Sequence, residues 1–212
     1  MAWATCTLQQ GRAEVLRGLY PYRNNIMGTA SSGSVTTIVD IGAAADGTHL
    51  ESAVYSNNDF VGAWVYVPAV TAPKTSRVTV YDRDSGTLTL SPALGATAGT
   101  NPYEIHWKLP PERINDWILQ RATEASPTFS TIAESTAINL SKFTLAEGVL
   151  ADALRALAKS EEGDARKLME MEADHHELLW LERLALEGRT PSVNRLNVRR
   201  EQTEATQVLR RF

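Results

Sequence analysis

The chain has 212 residues and a formal net charge of −4 at pH 7. This length is enough for one or two domains with their own hydrophobic cores, so folding requires neither a disulfide nor a structural metal. So small a net charge argues against a nucleic-acid-binding protein and against a membrane-surface protein. The single cysteine, Cys6, excludes a disulfide within the chain and any cysteine-rich metal site.

The first predicted element is a short helix at residues 5–19. Thr5 or Thr7 can cap its N-terminus, and Pro21 ends it, because the residue before a proline disfavours the helical conformation. A loop rich in Asn, Gly and Ser follows at residues 24–34. So short a helix is not stable alone and needs a packing partner elsewhere in the chain.

The sequence then changes from a helical period to the alternation of apolar and polar residues that is typical of β-strands. Five short strands are predicted, at residues 34–41, 62–69, 76–84, 86–94 and 103–108. The turn at residues 82–86, which contains Asp84-Ser85-Gly86, predicts a hairpin. Short strands with turn signals at this spacing predict a small antiparallel barrel or sandwich.

Two helices are predicted directly after the strands. Pro110-Pro111 stops the last strand and opens a helix that Ser126-Pro127 closes. A longer helix begins at Thr144, which forms a capping box with Glu147. Residues 128–143, between these helices, fit either a strand or a loop.

A last helix is predicted at residues 164–187, with a break at Gly163 before it and a C-terminal cap at Gly188. Its predicted apolar surface is supplied by Leu168, Met171, Leu178, Leu181 and Leu184. Core positions are also predicted for four tryptophans: Trp64, Trp107, Trp117 and Trp180.

These elements predict an α+β fold. Residues 1–27 and 109–188 would form a helical bundle, since no helix can bury its apolar stripe alone. A small antiparallel β-barrel or sandwich at residues 28–108 would be inserted after the first helix. Residues 189–212, which begin near a proline and are mostly polar, would form an extended C-terminal arm.

The C-terminal arm differs in charge from the rest of the chain. It contains six arginines and two glutamates, a charge of +4, so residues 1–188 carry −8. An acidic body with a basic tail is typical of a protein that binds partners. No run of roughly 18 apolar residues that would span a membrane is present, and the N-terminus lacks a signal-peptide pattern, so we expect assembly in a cytoplasm.

Arginines and apolar residues alternate along the arm. A solvated tail is one interpretation, and an arm that docks on another protein subunit is the other. In the second, arginines would pair with acidic groups while apolar side chains fill pockets. The candidate partner-binding residues are Arg195, Leu196, Val198, Arg199, Arg200, Val208, Leu209, Arg210, Arg211 and Phe212.

Two short patterns invite a metal-site interpretation. Glu172 and His175 would share one helix face, as in a carboxylate-bridged metal site, but such sites need a second copy from another helix. Asp82, Asp84 and Gly86 partly resemble a calcium loop, but the glycine comes one position early, so a plain hairpin turn is favoured.

Catalytic and cofactor motifs are absent from the sequence, which has no Gly-x-Ser-x-Gly, no phosphate-binding Gly-x-x-x-x-Gly-Lys and no dinucleotide fingerprint after a strand. We therefore predict that the protein is not an enzyme and holds no cofactor and no metal. A helix-bundle metalloenzyme centred on Glu172 and His175 is the enzymatic alternative.

Three phrases resemble a module of tailed-bacteriophage virion proteins. They are RVTVYDRDSGTLTLSP at residues 77–92, GTNPYEI at residues 99–105 and PERINDWILQRA at residues 111–122. The N-terminal phrase TLQQGRAEVLRGLY resembles the first helix of the neck, or head-to-tail adaptor, family. The resemblance covers roughly residues 5–125.

The resemblance implies a virion structural protein located in the neck, between capsid and tail, and assembled in the host cytoplasm. It implies a homo-oligomeric ring, a dodecamer, beneath the portal protein, with the C-terminal arm reaching the portal. Downstream partners would be tail or nozzle proteins and fibres. Genomic DNA would only pass through the channel, and no membrane is involved. A collar, tail-tip or fibre-attachment protein is the structural alternative.

Overall fold

The computed structural model describes residues 5–19, 27–41, 50–51, 54–107, 109–126, 134 and 137–187. Within this part of the chain the fold is mixed α+β, with four helices and one seven-stranded antiparallel sheet, which confirms the predicted class. In chain order the elements are α1 (Leu8–Leu19), β1 (Met27–Thr29), β2 (Ser32–Gly33), β3 (Thr37–Val39), β4 (Trp64–Tyr66), β5 (Thr75–Asp82), β6 (Thr87–Ser91), β7 (Pro102–His106), α2 (Pro111–Ala125), α3 (Lys142–Ala158) and α4 (Gly163–Leu186).

The strands lie in the order β1-β7-β4-β5-β6-β3-β2, and every neighbouring pair is antiparallel. The sequence predicts five strands, but the described residues form seven, because β1 and β2 lie where a loop was predicted. These strands have two or three residues, so no alternation can reveal them, and only backbone pairing with β7 and β3 defines them. The closure of the strands as a barrel or sandwich stays a prediction.

The predicted hairpin is confirmed, because β5 and β6 pair across a turn at residues 83–86. Gly86 has a φ of 57°, and a Cβ there would lie 2.5 Å from the backbone oxygen of Asp40, so only glycine fits. Asp82 accepts hydrogen bonds from the Asp84 backbone N–H at 3.2 Å and the Ser85 hydroxyl at 2.6 Å. Its oxygens therefore hold the turn, as the plain-turn interpretation requires.

The chain divides into two compact units, Val15–Asp116 and a second formed by Met1–Glu14 with Trp117–Phe212. The core of the first, the sheet unit, is apolar and centres on Phe60. The Phe60 ring packs edge-on against Tyr81 and stacks with Trp107 at a centroid distance of 5.3 Å. Other fully buried side chains in this core are Ile38, Leu50, Val65, Leu88, Tyr103 and Ile105. The predicted domain limits stay a prediction.

The second compact unit, called the helical unit below, contains the start of α1. Thr7 accepts a hydrogen bond from the backbone N–H of Gln10, and the Gln10 side chain accepts one from the backbone N–H of Thr7. Of the two predicted caps, Thr7 is therefore the one used. Cys6 and Ile138 exchange two backbone hydrogen bonds in an isolated antiparallel bridge that lies outside the named strands.

The start of α3 differs from the prediction. The helix begins at Lys142, and Ser141 is its N-cap, with a side chain that accepts from the backbone N–H of Thr144 at 3.0 Å. The predicted capping box of Thr144 and Glu147 is therefore wrong. Thr144 lies inside the first turn, buried, and its hydroxyl donates to Glu187. The predicted break at Gly163 is confirmed, with a φ of 61° at this residue.

Candidate protein-binding surface

The ten candidate partner-binding residues, from Arg195 to Phe212, lie outside the described residues. A binding surface must therefore be sought first on the helices that precede the arm. The helix directly before the arm is α4, whose last residue is Leu186.

One side of α4 is buried within the helical unit. Its buried residues are Ala173, Glu177, Trp180 and Leu184, which are spaced by four, three and four positions and so share one face. On α3, Gly148 allows close approach to this face, because a Cβ there would lie 3.0 Å from the Trp180 ring. The core position predicted for Trp180 is confirmed.

An ion network on the buried side joins three helices through Arg121 of α2. The Arg121 guanidinium donates to both carboxylate oxygens of Asp152 of α3, at 2.7 and 2.8 Å. It also donates to both carboxylate oxygens of Glu177 of α4, at 3.0 and 2.8 Å, and lies 4.5 Å from the centre of the Trp180 ring. Two bidentate contacts of this kind give strong orientational specificity.

Arg155 of α3 extends the network towards solvent. It donates to Glu177 and to Asp174 of α4, each at 3.0 Å. Burial raises the pKa of Glu177, but the hydrogen bonds and charges of Arg121 and Arg155 outweigh it and lower this pKa to about 2. Glu177 is therefore ionised at neutral pH and holds α4 in one rotational orientation about its axis.

Sequence reasoning missed this network. Arg121 was passed over because it lies within the apolar stripe of α2, between Ile118 and Ala122, which are both fully buried. Glu177 lies in the same way between the buried positions 173 and 180. The signal that could have indicated a buried ion pair is a charged residue at a position where the helical period requires an apolar one.

The opposite side of α4 is apolar and exposed. Its exposed fractions are 64% for Leu168, 69% for Met171, 53% for Leu178 and 87% for Leu186. Residues 168, 171 and 178 are three and seven positions apart, so they follow one side of the helix. We call Leu168, Met171 and Leu178, with the exposed residues beside them, the outward face of α4.

The structure divides the apolar surface predicted for α4 between two sides of the helix. The sequence predicts that Leu168, Met171, Leu178, Leu181 and Leu184 supply this surface, but only Leu184 is fully buried and Leu181 is half-buried. The helix has two apolar stripes on opposite sides. Sequence periodicity alone cannot say which stripe is inside, and here the ion pairs of Glu177 select the stripe that contains Trp180 and Leu184.

Acidic residues lie along the outward face. α4 has six acidic and three basic residues, which gives a charge of −3 with neutral histidines. Glu172 and Glu182 are exposed, and neither forms an ion pair with another residue in the described ranges. The exposed apolar side chains are therefore accompanied by negative charge, with Glu172 beside them and Glu182 further along the same side of the helix, a combination that suits a basic, partly apolar polypeptide.

The metal-site interpretation receives no support from this geometry. Glu172 and His175 are both exposed on α4, and His175 lies beside His176, whose ring contacts Glu147. In the described part of the chain, no group of three or more His, Cys, Asp or Glu side chains is arranged to hold a metal ion.

Burial and the charge of Glu187 raise the pKa of the Cys6 thiol to about 11, so the thiol is protonated at neutral pH.

No helix in the ranges that the structure describes has the length and apolar character needed to cross a lipid bilayer. Comparison of the chain with protein-family models, with curated proteins and with solved structures finds no match in any of the three.

Proposed function

We propose that this protein is a bacteriophage virion structural protein, a head-to-tail adaptor whose copies form a ring that joins the portal to the tail. The main support is that the three phrases resembling phage virion proteins occupy adjoining elements. Residues 77–92 contain most of β5, the turn and β6, residues 99–105 contain most of β7, and residues 111–122 contain most of α2.

The outward face of α4 gives a second, independent support. A row of large exposed apolar residues with acidic residues along it is typical of a surface that another polypeptide covers. The residues that hold α4 in place, by contrast, form ion pairs among themselves and are turned inward. One set of residues thus holds α4 in place and another is exposed for a partner, which is what a protein that assembles with other proteins requires.

In the proposed assembly the helices form a bundle that makes the ring, and the β-module is an insertion that projects outward or packs on neighbouring copies. The arm at residues 189–212 clasps the portal. If the acidic body lines the channel, DNA can slide through it, because a negative lining offers no cations to hold phosphates. A channel lined by the arginines of the arm would contradict this placement.

The test uses the full chain and a truncated chain that ends at Gly188, together with portal-containing heads. The full chain is expected to form a ring on the portal, seen by electron microscopy, with the copy number of the portal. The truncated chain should keep its circular dichroism spectrum but fail to join heads. Attachment at full strength without residues 189–212 would refute the role of the arm.

The same experiment separates the adaptor from other phage structural roles. A ring whose copy number differs from that of the portal, or binding to tail components alone, would assign the protein to a collar, tail-tip or fibre-attachment role. Elemental analysis of the purified protein tests the metalloenzyme alternative directly, because a stoichiometric metal would contradict a purely structural function.

A further inference from the structure

We propose that, before assembly, the arm at residues 189–212 folds back over the outward face of α4 in its own chain. The arm would cover Leu168, Met171 and Leu178 until a partner takes the arm away. This inference concerns the free protein, and it holds whether or not the assembly that the protein joins is a phage neck.

The first argument is charge complementarity. The arm carries +4, and α4 without the buried, paired Glu177 has five acidic and three basic residues, a charge of −2; the exposed Glu172 and Glu182 have no ionic partner among the described residues. Two α4 helices packed against each other would instead bring their acidic residues together, and like charges at such a contact are destabilising. The charges therefore favour the arm over the α4 of a second copy as the occupant.

The second argument is the residue pattern of the arm. Leu196 and Val198 lie between Arg195 and the pair Arg199-Arg200. Apolar side chains flanked by arginines match a surface that combines exposed apolar and acidic side chains. The exposed leucines and methionine of α4 would thereby be removed from water, which is the main source of favourable free energy in such a contact.

The third argument is reach. From Leu186 back to Leu168 the helix axis rises about 27 Å, at about 1.5 Å per residue. An extended chain covers about 3.3 Å per residue, so about eight residues of the arm span this distance, which brings Leu196 close to Leu168. The arm has 24 residues. Attachment to the end of α4 also gives the arm an effective concentration in the millimolar range, so in dilute solution it outcompetes the arm of another copy.

The test is disulfide trapping in a Cys6→Ala background. Leu168→Cys on the outward face is combined with Leu196→Cys on the arm, because an extended arm brings these two positions together, and the purified full-length protein is oxidised at low concentration. We expect an intramolecular disulfide, identified on a non-reducing gel and by mass spectrometry of the linked peptides. The control combines Leu196→Cys with Lys159→Cys, which is exposed beyond the end of α3, and should form little disulfide.

A mixing experiment distinguishes the arm of the same chain from that of a second copy. Protein with only Leu168→Cys is mixed with protein with only Leu196→Cys under the same conditions. Few covalent dimers are expected. Dimers in a yield equal to that of the intramolecular disulfide would overturn the proposal in favour of exchange between copies, and equal trapping at Lys159→Cys would overturn it in favour of an arm without a fixed site.

A charge variant tests the electrostatic part of the argument. Glu172→Arg with Glu182→Arg should slow trapping between positions 168 and 196 about fivefold, because two exposed ion pairs are lost. Raising the salt concentration should slow trapping in the parent protein and have less effect in this variant. A trapping rate that neither the variant nor salt changes would contradict the pairing of the arm with these acidic residues.

Discussion

The inward side of α4 holds Trp180 and Leu184 in full burial, whereas the outward side leaves Leu168, Met171 and Leu178 more than half exposed. Hydrophobicity alone does not separate the two sides, because both have large apolar residues. The buried charge of Glu177, held by Arg121 and Arg155, separates them. A charged residue thus decides which apolar stripe becomes core and which remains available to a partner.

The largest effect is expected from removing the central cation of this network. Arg121→Met leaves Asp152 and Glu177 buried without their main partner, and it should lower the free energy of unfolding by about 3–5 kcal/mol. Urea unfolding followed by far-ultraviolet circular dichroism measures the change. Arg166→Met, which removes an exposed pair with Glu170, is the control and should cost about 0.5 kcal/mol or less. Equal effects of the two variants would contradict the central role of Arg121.

A matched pair of leucine substitutions compares the two sides directly. Leu184→Ala should destabilise the protein by about 2–5 kcal/mol, because it leaves a cavity in a fully buried site. In the chain that ends at Gly188, Leu178→Ala should change stability by about 0.5 kcal/mol or less, because that side chain is exposed and both residues favour helix. The same urea experiment measures both substitutions in the truncated chain. A large loss from Leu178→Ala there would show that residues other than the arm already pack on the outward face.

Acid should weaken the inward side selectively. The pKa of Glu177 is about 2 in the folded protein, against an ordinary value of 4.5, so the unfolded state binds the proton more tightly. Glu177 therefore contributes stability above about pH 4.5, and this contribution, on the order of 3 kcal/mol, is lost as the pH falls towards 2. Urea unfolding at a series of pH values measures this loss. In Glu177→Gln the slope between pH 4.5 and 2 should be smaller, and an unchanged slope would assign the acid sensitivity to other groups.

The smallest effect is expected from a methyl group between α3 and the inward side of α4. Gly148→Ala places a Cβ 3.0 Å from both the Trp180 ring and the Arg121 side chain, which have little freedom to move. Overpacking should outweigh the gain in helix propensity and leave a net loss of about 1 kcal/mol. Gly11→Ala is the control, since its new methyl comes within 3.0 Å only of the flexible end of the Leu145 side chain and lies at an ordinary contact distance of 3.6 Å from Ile118. It should be neutral or stabilising in thermal unfolding, and the reverse order would contradict this account of the packing.

Periodicity and turn chemistry predicted much of the architecture. The α+β class, the hairpin at residues 82–86, the break at Gly163 and the core position of Trp180 all follow from local rules and are confirmed. The short strands β1 and β2 escaped prediction because two or three residues have no detectable period. The start of α3 was misplaced because Ser141 and Thr144 are both good caps, and packing against Glu187 decides between them.

The candidate surface was harder to predict than the fold. Leu168, Met171 and Leu178 have the spacing of a core stripe, and nothing local to α4 distinguishes them from Leu184. The distinction depends on Arg121 and Asp152, which lie 56 and 25 positions before Glu177 in the chain. The arm residues from Arg195 to Phe212 lie outside the described residues, so their role in binding stays a prediction.

The two bidentate contacts of Arg121 have a consequence for how the sequence of this protein can change over evolutionary time. Arg121 binds Asp152 of α3 and Glu177 of α4, and these contacts keep α4 from rotating about its axis. Substitutions on the solvent side can therefore change what α4 binds without changing the position of the helix. Partner binding and folding therefore depend on separate sets of positions along one helix. Substitutions among the partner-binding positions can accumulate one at a time while the positions that hold the fold stay constant.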